Sequence, residues 1–392
     1  MVEFDPFSES YFDDPFSVYR EMRDEEPALY LEKYDCFFLS RFADVWEAVS
    51  DHRFSHRRGT NSQDLLVGRM PQRALSNLIP PEHTGLRKTL APYFTANSAK
   101  RLEPRVREFT RALLADFRDR GEFDVIADFA SRVAARVTFS LIGLPIGDVD
   151  RILAEIAAVF DRVPGTDGPT QTALDASTRI QTYLSDVVRE RMARPGEGDL
   201  LADLVRFEWN GHHYPAEEIV ANLYLLVVGG TETLPKVLSG TLYQLALYPK
   251  QRSEVVANPL LAKDAFWEGL RYEMPTLMLG ATAEEDAEIC GGKRIRKGQR
   301  LMHLWASANR DEREFQDPDR FDIHRRAPRI LSFNHGTHRC LGANFAQLEG
   351  RVMLEELLAV APNYEVVEDR VARLRSEFFR GFKSFPIRIG QS

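Results

Sequence analysis

Residues 332–350 read SFNHGTHRCLGANFAQLEG. A short loop punctuated by Gly336 and Gly342 delivers Cys340 to the start of an apolar stretch with helical spacing. Helix N-termini carry partial positive charge and unpaired N–H groups, which favour a thiolate. Glycines beside it permit unusual dihedrals and let backbone approach a flat ligand closely. Taken alone, one cysteine in this setting is most often buried and unreactive. A zinc reading can draw on His335, His338 and Cys340, but their spacing matches no common zinc pattern, and Cys36 and Cys290 are distant in sequence.

Three clusters upstream also carry chemistry. FWEGLRYEMP places Glu268 and Arg271 at i and i+3, on one helix face; in isolation this is an ordinary surface pair. Pro215 opens a helical pattern that runs to about Tyr248, roughly 50 Å long. Gly229-Gly230-Thr231-Glu232-Thr233 interrupts it. Each glycine costs about 1 kcal/mol in a helix interior, and Pro235 has no N–H for the Thr231 carbonyl. A kink or bulge is therefore predicted at 229–235, with close packing of a neighbouring helix as the plain explanation. In PPEHTGLRKTL, Pro80 and Pro81 pre-set a helix start, and His83 and Arg87 then stand at i and i+4. Such a pair can hold a carboxylate or merely face water.

The rest of the chain sets the frame. It has 392 residues, 44% of them hydrophobic and 28% charged, with a net charge of −8. This is a globular profile, and the acidic balance gives no support for nucleic-acid binding. Three widely spaced cysteines argue against a disulfide framework and suit a reducing cytosol. No signal peptide is legible at the N-terminus, and the most apolar short stretch, 223–230, is far below the ~20 residues of a membrane span. Most of residues 100–250 reads as helix: one helix ends at Gly121, a second runs from Asp128 to Leu144, and loops fall at 163–170 and 194–199. Short strands are predicted around Tyr34-Asp35, after Arg271 and at the C-terminus.

In their order and spacing, the four clusters resemble the cytochrome P450 family of haem-thiolate monooxygenases. Phe333, Gly336, His338, Cys340 and Gly342 match the family's haem-binding loop, with Asn334 in place of a usual glycine. Glu268 and Arg271 match its Glu-x-x-Arg about 70 residues before the cysteine, and Arg320 matches the third member of a Glu-Arg-Arg network. The resemblance covers nearly the whole chain. It implies a mainly α fold with small β-sheets, in which haem is buried between the long distal helix and the cysteine loop. Residues 1–392 would form a single haem domain with no fused reductase.

The same resemblance implies roles. Cys340 would be the axial ligand of haem b (iron protoporphyrin IX). His83, Arg87 and His338 would hold its propionates, and Gly229, Gly230, Phe333, Gly336 and Gly342 would also border it. Thr233 would hydrogen-bond the dioxygen co-substrate, and Glu232 would relay protons to it. Many relatives carry a propionate-binding arginine where this chain has Ala281.

By resemblance, the substrate pocket is lined by Leu65, Leu66, Val67, Met70 and Leu78, by Val228 of the distal helix, and by the helix pair around 155–190. Thr276, Leu277, Met278 and Leu279 line it after Arg271, and Phe382 and Lys383 at the C-terminal turn. Most are apolar, which suits a hydrophobic substrate but does not separate terpenoid, steroid, aromatic and fatty acyl compounds. Electrons would come from NAD(P)H through a reductase and an acidic ferredoxin, docking on Lys88, Arg325, Arg326, Arg329 and Arg339. The expected protein is a cytoplasmic monomer without a membrane anchor that hydroxylates, epoxidises or dealkylates its substrate. The competing readings are a peroxide-driven peroxygenase and a non-catalytic haem- or zinc-binding protein.

Overall fold

Apolar residues recurring at helical spacing make most of this chain α-helical, and the computed structural model describes residues 2–194 and 196–390. Pro195, within the expected 194–199 loop, lies outside the described residues. The N-terminal part supplies strands β1 (Ala28–Leu31) and β2 (Cys36–Leu39), joined as a hairpin through Asp35, and the short β3 (Phe54–Ser55). Helices α1 (Glu82–Leu90) and α2 (Ala96–Arg120) follow, the latter ending at Gly121.

The helix predicted from Asp128 begins differently. The Asp124 carboxylate accepts from the Ile126 and Ala127 N–H groups at 2.8 and 3.0 Å. That cap opens a wider π turn over Val125–Ala130, and regular α-helix α3 covers Ser131–Ile142. The long helix α4 spans Ala216–Leu247 with Pro215 as its N-cap. No wider turn interrupts α4 at 229–235, so the predicted bulge is not formed. Thr231 Oγ1 donates to the Val227 carbonyl at 2.7 Å and Thr233 Oγ1 to that of Gly229 at 3.2 Å, while packing of the rest of α4 against its neighbours holds the weakened stretch helical.

Downstream lie α5 (Ala262–Tyr272), β4 (Met278–Ala283), β5 (Arg300–Leu304) and α6 (Ala343–Val360). The main sheet has the order β1-β2-β5-β4-β3, with only β2–β5 parallel. Near the C-terminus, Pro386–Arg388 pairs with Glu122–Asp124. Helix α4 packs against α3, α5 and Gln171–Ala193, and α6 packs across α2 and α5. Two glycines set the closest crossings: a Cβ at Gly350 would lie 2.2 Å from the Phe266 ring, and one at Gly269 would lie 1.9 Å from Thr241 Oγ1. The cysteine loop is thereby pressed against the α4–α5 core. Among the described residues no helix is long and apolar enough to cross a membrane, and all three cysteines are free.

Candidate active site

The loop before α6 is held by its own backbone. The Cys340 N–H donates to the Phe333 carbonyl at 2.7 Å. Asn334 has φ +57° and Gly336 has φ +68°. Asn tolerates the left-handed conformation better than other side-chain-bearing residues, so Asn334 reproduces a turn that glycine would make. The His335 ring stacks on Trp46 with centroids 3.8 Å apart. The accessible surface of Cys340 opens into a cavity of about 350 Å³. Burial pushes its thiol up, while the Gly342 N–H, Arg87 and Arg339 pull the other way.

That cavity separates the cysteine loop from α4. Phe333, Leu341, Gly342 and Phe345 line one side, and Gly229, Gly230, Thr233 and Leu234 the other. A Cβ at Gly229 would meet only open space, whereas one at Gly230 would lie 2.6 Å from Thr138 Oγ1. Gly230 thus chiefly admits α3, and Gly336 serves the turn and does not line the cavity. Glu232 does not line it either. Its carboxylate is turned to Lys236, one turn along α4.

One end of the cavity is polar. The His338 ring lies 4.3 Å from that of His83 and 4.2 Å from that of His56, centroid to centroid. Arg87 Nη2 donates to the Arg339 carbonyl at 2.6 Å. His303 completes this end. Burial, with repulsion from neighbouring positive groups, lowers His56 and His83 to about 4, His303 to about 3 and His338 to about 2. His56 Nδ1, both ring nitrogens of His83, His303 Nε2 and Trp305 Nε1 are buried without a hydrogen-bond partner among the described residues. A slot with apolar walls, a cysteine on one face and unsatisfied donors at one end suits a flat, apolar group with an acidic edge. Haem has that shape and chemistry. No group of three metal-ligating side chains is present among the described residues, which disfavours the zinc reading.

The charged network is real but differently composed. Glu268 Oε1 accepts from Arg271 at 2.6 Å, from Arg325 Nε at 3.1 Å and from the Asp322 N–H at 3.1 Å. Arg320, expected as the third member, is exposed; only its backbone carbonyl takes part, accepting from Arg325 at 2.9 Å. The turn through Asp322 carries Arg325 inward instead. This removes Arg325 from the expected docking face. Arg326 is paired with Asp264 and Arg329 with Glu314. Lys88 and Arg339 are exposed, and no ion pair engages either among the described residues.

Of the expected substrate contacts, Thr276 and Leu279 line the cavity. Leu65, Met70 and Leu78 border a separate external groove with Arg57, Arg58 and Arg69. Leu66, Val67, Val228, Leu277, Met278, Phe382 and Lys383 line neither space, and neither does the 155–190 helix pair. Leu277 and Met278 are core, Phe382 packs between Tyr243 and Phe385, and Lys383 points to water. The cavity instead uses Leu225 and Leu226 of α4, Thr138 and Leu141 of α3, and Glu349 of α6. Burial holds the Glu349 carboxyl well above the usual carboxylate range, and its Oε2 is unpartnered. A lone histidine in an apolar strand (LMHLW) is the signal that could have exposed His303.

The chain matches the family model described as Cytochrome P450 over residues 9–369. It is 34% identical over 391 residues to "Putative cytochrome P450 123" of Mycobacterium tuberculosis, covering 98% of this chain and 96% of that protein. It is 32% identical over 394 residues to "Vitamin D(3) 25-hydroxylase" of Pseudonocardia autotrophica, again covering 98% and 96%. Its fold superposes with a TM-score of 0.87 on a mutant of P450 EryK in complex with erythromycin B, at 29% identity and 97% coverage of both chains.

Proposed function

As the chain belongs to the cytochrome P450 family, a family of monooxygenases, we propose that it inserts one oxygen atom from O2 into a small, mainly hydrophobic molecule. Electrons would pass from NAD(P)H by way of a reductase and a ferredoxin. The observation that carries this reading is that Cys340 and Thr233 line the same largely apolar cavity.

When bound as iron protoporphyrin IX, the haem supplies oxygen activation beside a thiolate. Cys340 would ligate its iron, and His83, Arg87 and His338 would hold its carboxylates. Leu225, Leu226 and Leu279 offer the substrate an apolar wall that keeps water out. The Thr233 hydroxyl, now donating to the Gly229 carbonyl, would hold a proton on the α4 wall of the cavity. Glu232 stands behind it, so a relay from solvent requires the Lys236 pair to open. A relative named for hydroxylating vitamin D3 and a neighbour solved with a hexadec-9Z-enoic acid-ligated acyl carrier protein both support a mainly hydrophobic substrate. We assign the protein to the cytoplasm as a monomer served by a separate electron donor.

A carbon monoxide difference spectrum of the reduced protein tests the core of this reading. The strongly red-shifted thiolate band is expected, and Cys340→Ser should abolish it. A ligand screen for low-to-high spin shifts then identifies the substrate class. The peroxygenase alternative predicts product from peroxide alone at the rate seen with NAD(P)H and ferredoxin. The place of Thr233 on the cavity wall favours O2.

A further inference from the structure

Strands β4 and β5 run antiparallel with Ala281 opposite Leu301 and Leu279 opposite His303. Residues two apart on a strand share a face, so Ala281, Leu279, Leu301 and His303 lie on one face of the sheet. Leu279 and His303 both border the cavity. Ala281, on the same face, carries only a methyl group and is 1% exposed. His303 is equally buried, and its Nε2 has no partner. A second imidazole arrives from the next strand over: β3 pairs with β4 at Ser55–Thr282, and His56 follows immediately, its Nδ1 also unpartnered.

Burying an imidazole donor unpaired costs about 1–3 kcal/mol, so two together mark a site waiting for an acceptor. Besides burial, the groups that bear on these rings are other histidines and, for His56, a hydrogen bond with the Ser76 backbone; no carboxylate is among them. We propose that His56 and His303 form a carboxylate-binding pair that replaces, from neighbouring strands, the side chain missing at Ala281, and that its ligand is a propionate of the haem. His303 would donate from its neutral ring, and His56, whose ring also hydrogen-bonds the Ser76 backbone, would donate from Nδ1 once the carboxylate draws a proton onto it, where one guanidinium fork would otherwise stand. A substrate carboxylate presents the same chemistry, and the test below separates the two sources.

This inference rests on the haem reading above. If the wild-type protein lacks the red-shifted carbon monoxide band, that reading fails and the pair has no haem to hold. Given the band, haem transfer from the holoprotein to excess apomyoglobin is measured for wild type, His56→Leu, His303→Leu and His303→Gln, and again after reconstitution with haem dimethyl ester. Each Leu variant should lose protohaem about tenfold faster, the loss of one charge-assisted hydrogen bond. His303→Gln, which keeps a donor, should stay within about threefold of wild type, and Ala281→Arg should restore retention to His303→Leu. With the dimethyl ester, the wild type and both Leu variants should lose haem at the same rate.

Unchanged protohaem retention in both Leu variants overturns the proposal, and so does an effect that persists in full with the ester. Decanoate spin shifts complete the test. If His303→Leu abolishes them while haem retention is unchanged, the pair serves the substrate and the assignment to haem is wrong. A purely structural histidine is also distinguishable. Leucine removes an unpaired buried polar group, so the haem-free His303→Leu protein should unfold at equal or higher denaturant although the holoprotein sheds haem faster. A haem-free variant destabilised in proportion to its haem loss counts against the proposal.

Discussion

Lys236 binds Glu232 twice from one turn further along the long helix: its ammonium pairs with the carboxylate and also donates to the Glu232 carbonyl at 2.9 Å. Both side chains are largely buried, and the ammonium lies 5.3 Å from the centre of the Phe379 ring. The acid expected to relay protons is thus anchored away from the cavity. Lys236→Met should strand a buried carboxylate and destabilise the fold by about 3 kcal/mol. Adding Glu232→Gln should recover most of that stability in denaturant titrations without recovering the coupling of NAD(P)H oxidation to product. Recovery of both would make the pair structural only.

Thr233→Ala removes a hydroxyl whose only protein acceptor among the described residues is the Gly229 carbonyl. Stability should change by no more than about 1 kcal/mol. Coupling should fall severalfold, with the missing electrons recovered as hydrogen peroxide in a peroxidase assay. Wild-type coupling in this variant would remove Thr233 from the proton path.

Arg325 and Arg320 allow a direct comparison within the charge network. Arg325→Ala deprives the buried Glu268 of a partner and should cost about 3–5 kcal/mol along with much of the bound haem. Arg320→Ala should stay within about 0.5 kcal/mol of wild type, as its side chain is exposed. Urea midpoints and the haem-to-protein ratio read both effects.

Acid should destabilise the haem-free protein through its histidines. His56 and His83 are held down to about 4 and His303 to about 3, against an ordinary value of 6.5. Between those limits the unfolded chain binds protons that the folded chain refuses, so stability falls as pH falls. The loss starts near pH 6.5 and steepens to at most about 4 kcal/mol per pH unit for three such groups. Stability should be flat with respect to these residues above pH 7.5. Urea titrations at pH 7.5, 6 and 5 give the slope, and His303→Leu should reduce it.

Electron delivery should depend on the two exposed cations near the cysteine loop, Lys88 and Arg339, that keep no ion pair among the described residues. Arg339→Glu and Lys88→Glu should slow ferredoxin-driven reduction several-fold and flatten its dependence on ionic strength. Arg326→Glu and Arg329→Glu should have smaller effects, because Asp264 and Glu314 already neutralise those side chains. Stopped-flow reduction across a salt series distinguishes the pairs.

The helices and the sequence of motifs were legible because each rests on local signals. Proline and glycine mark where the long helix starts and where α2 stops, and the loop around Cys340 carries its own turn residues. Arg320 was misplaced because Glu-x-x-Arg fixes only i and i+3. Which arginine returns to Glu268 depends on a turn through Asp322 that has no periodic signature. The cavity wall was read in part. Leu277 and Met278 adjoin Thr276 and Leu279 in sequence, but strand geometry and the sheet's other contacts turn them into the core. His56 and His303 belong to segments almost 250 residues apart and meet only because β3 and β5 flank the same strand.

Asn334 also restricts how this sequence can drift. Its φ of +57° is open to glycine, asparagine and, less readily, aspartate. In a saturation library selected for retained haem colour, glycine should be enriched alongside asparagine, and β-branched residues should vanish. A neighbouring lineage could therefore cross between Asn and Gly by way of Asp without passing through a colourless ancestor, whereas a crossing through Thr or Ile would be closed.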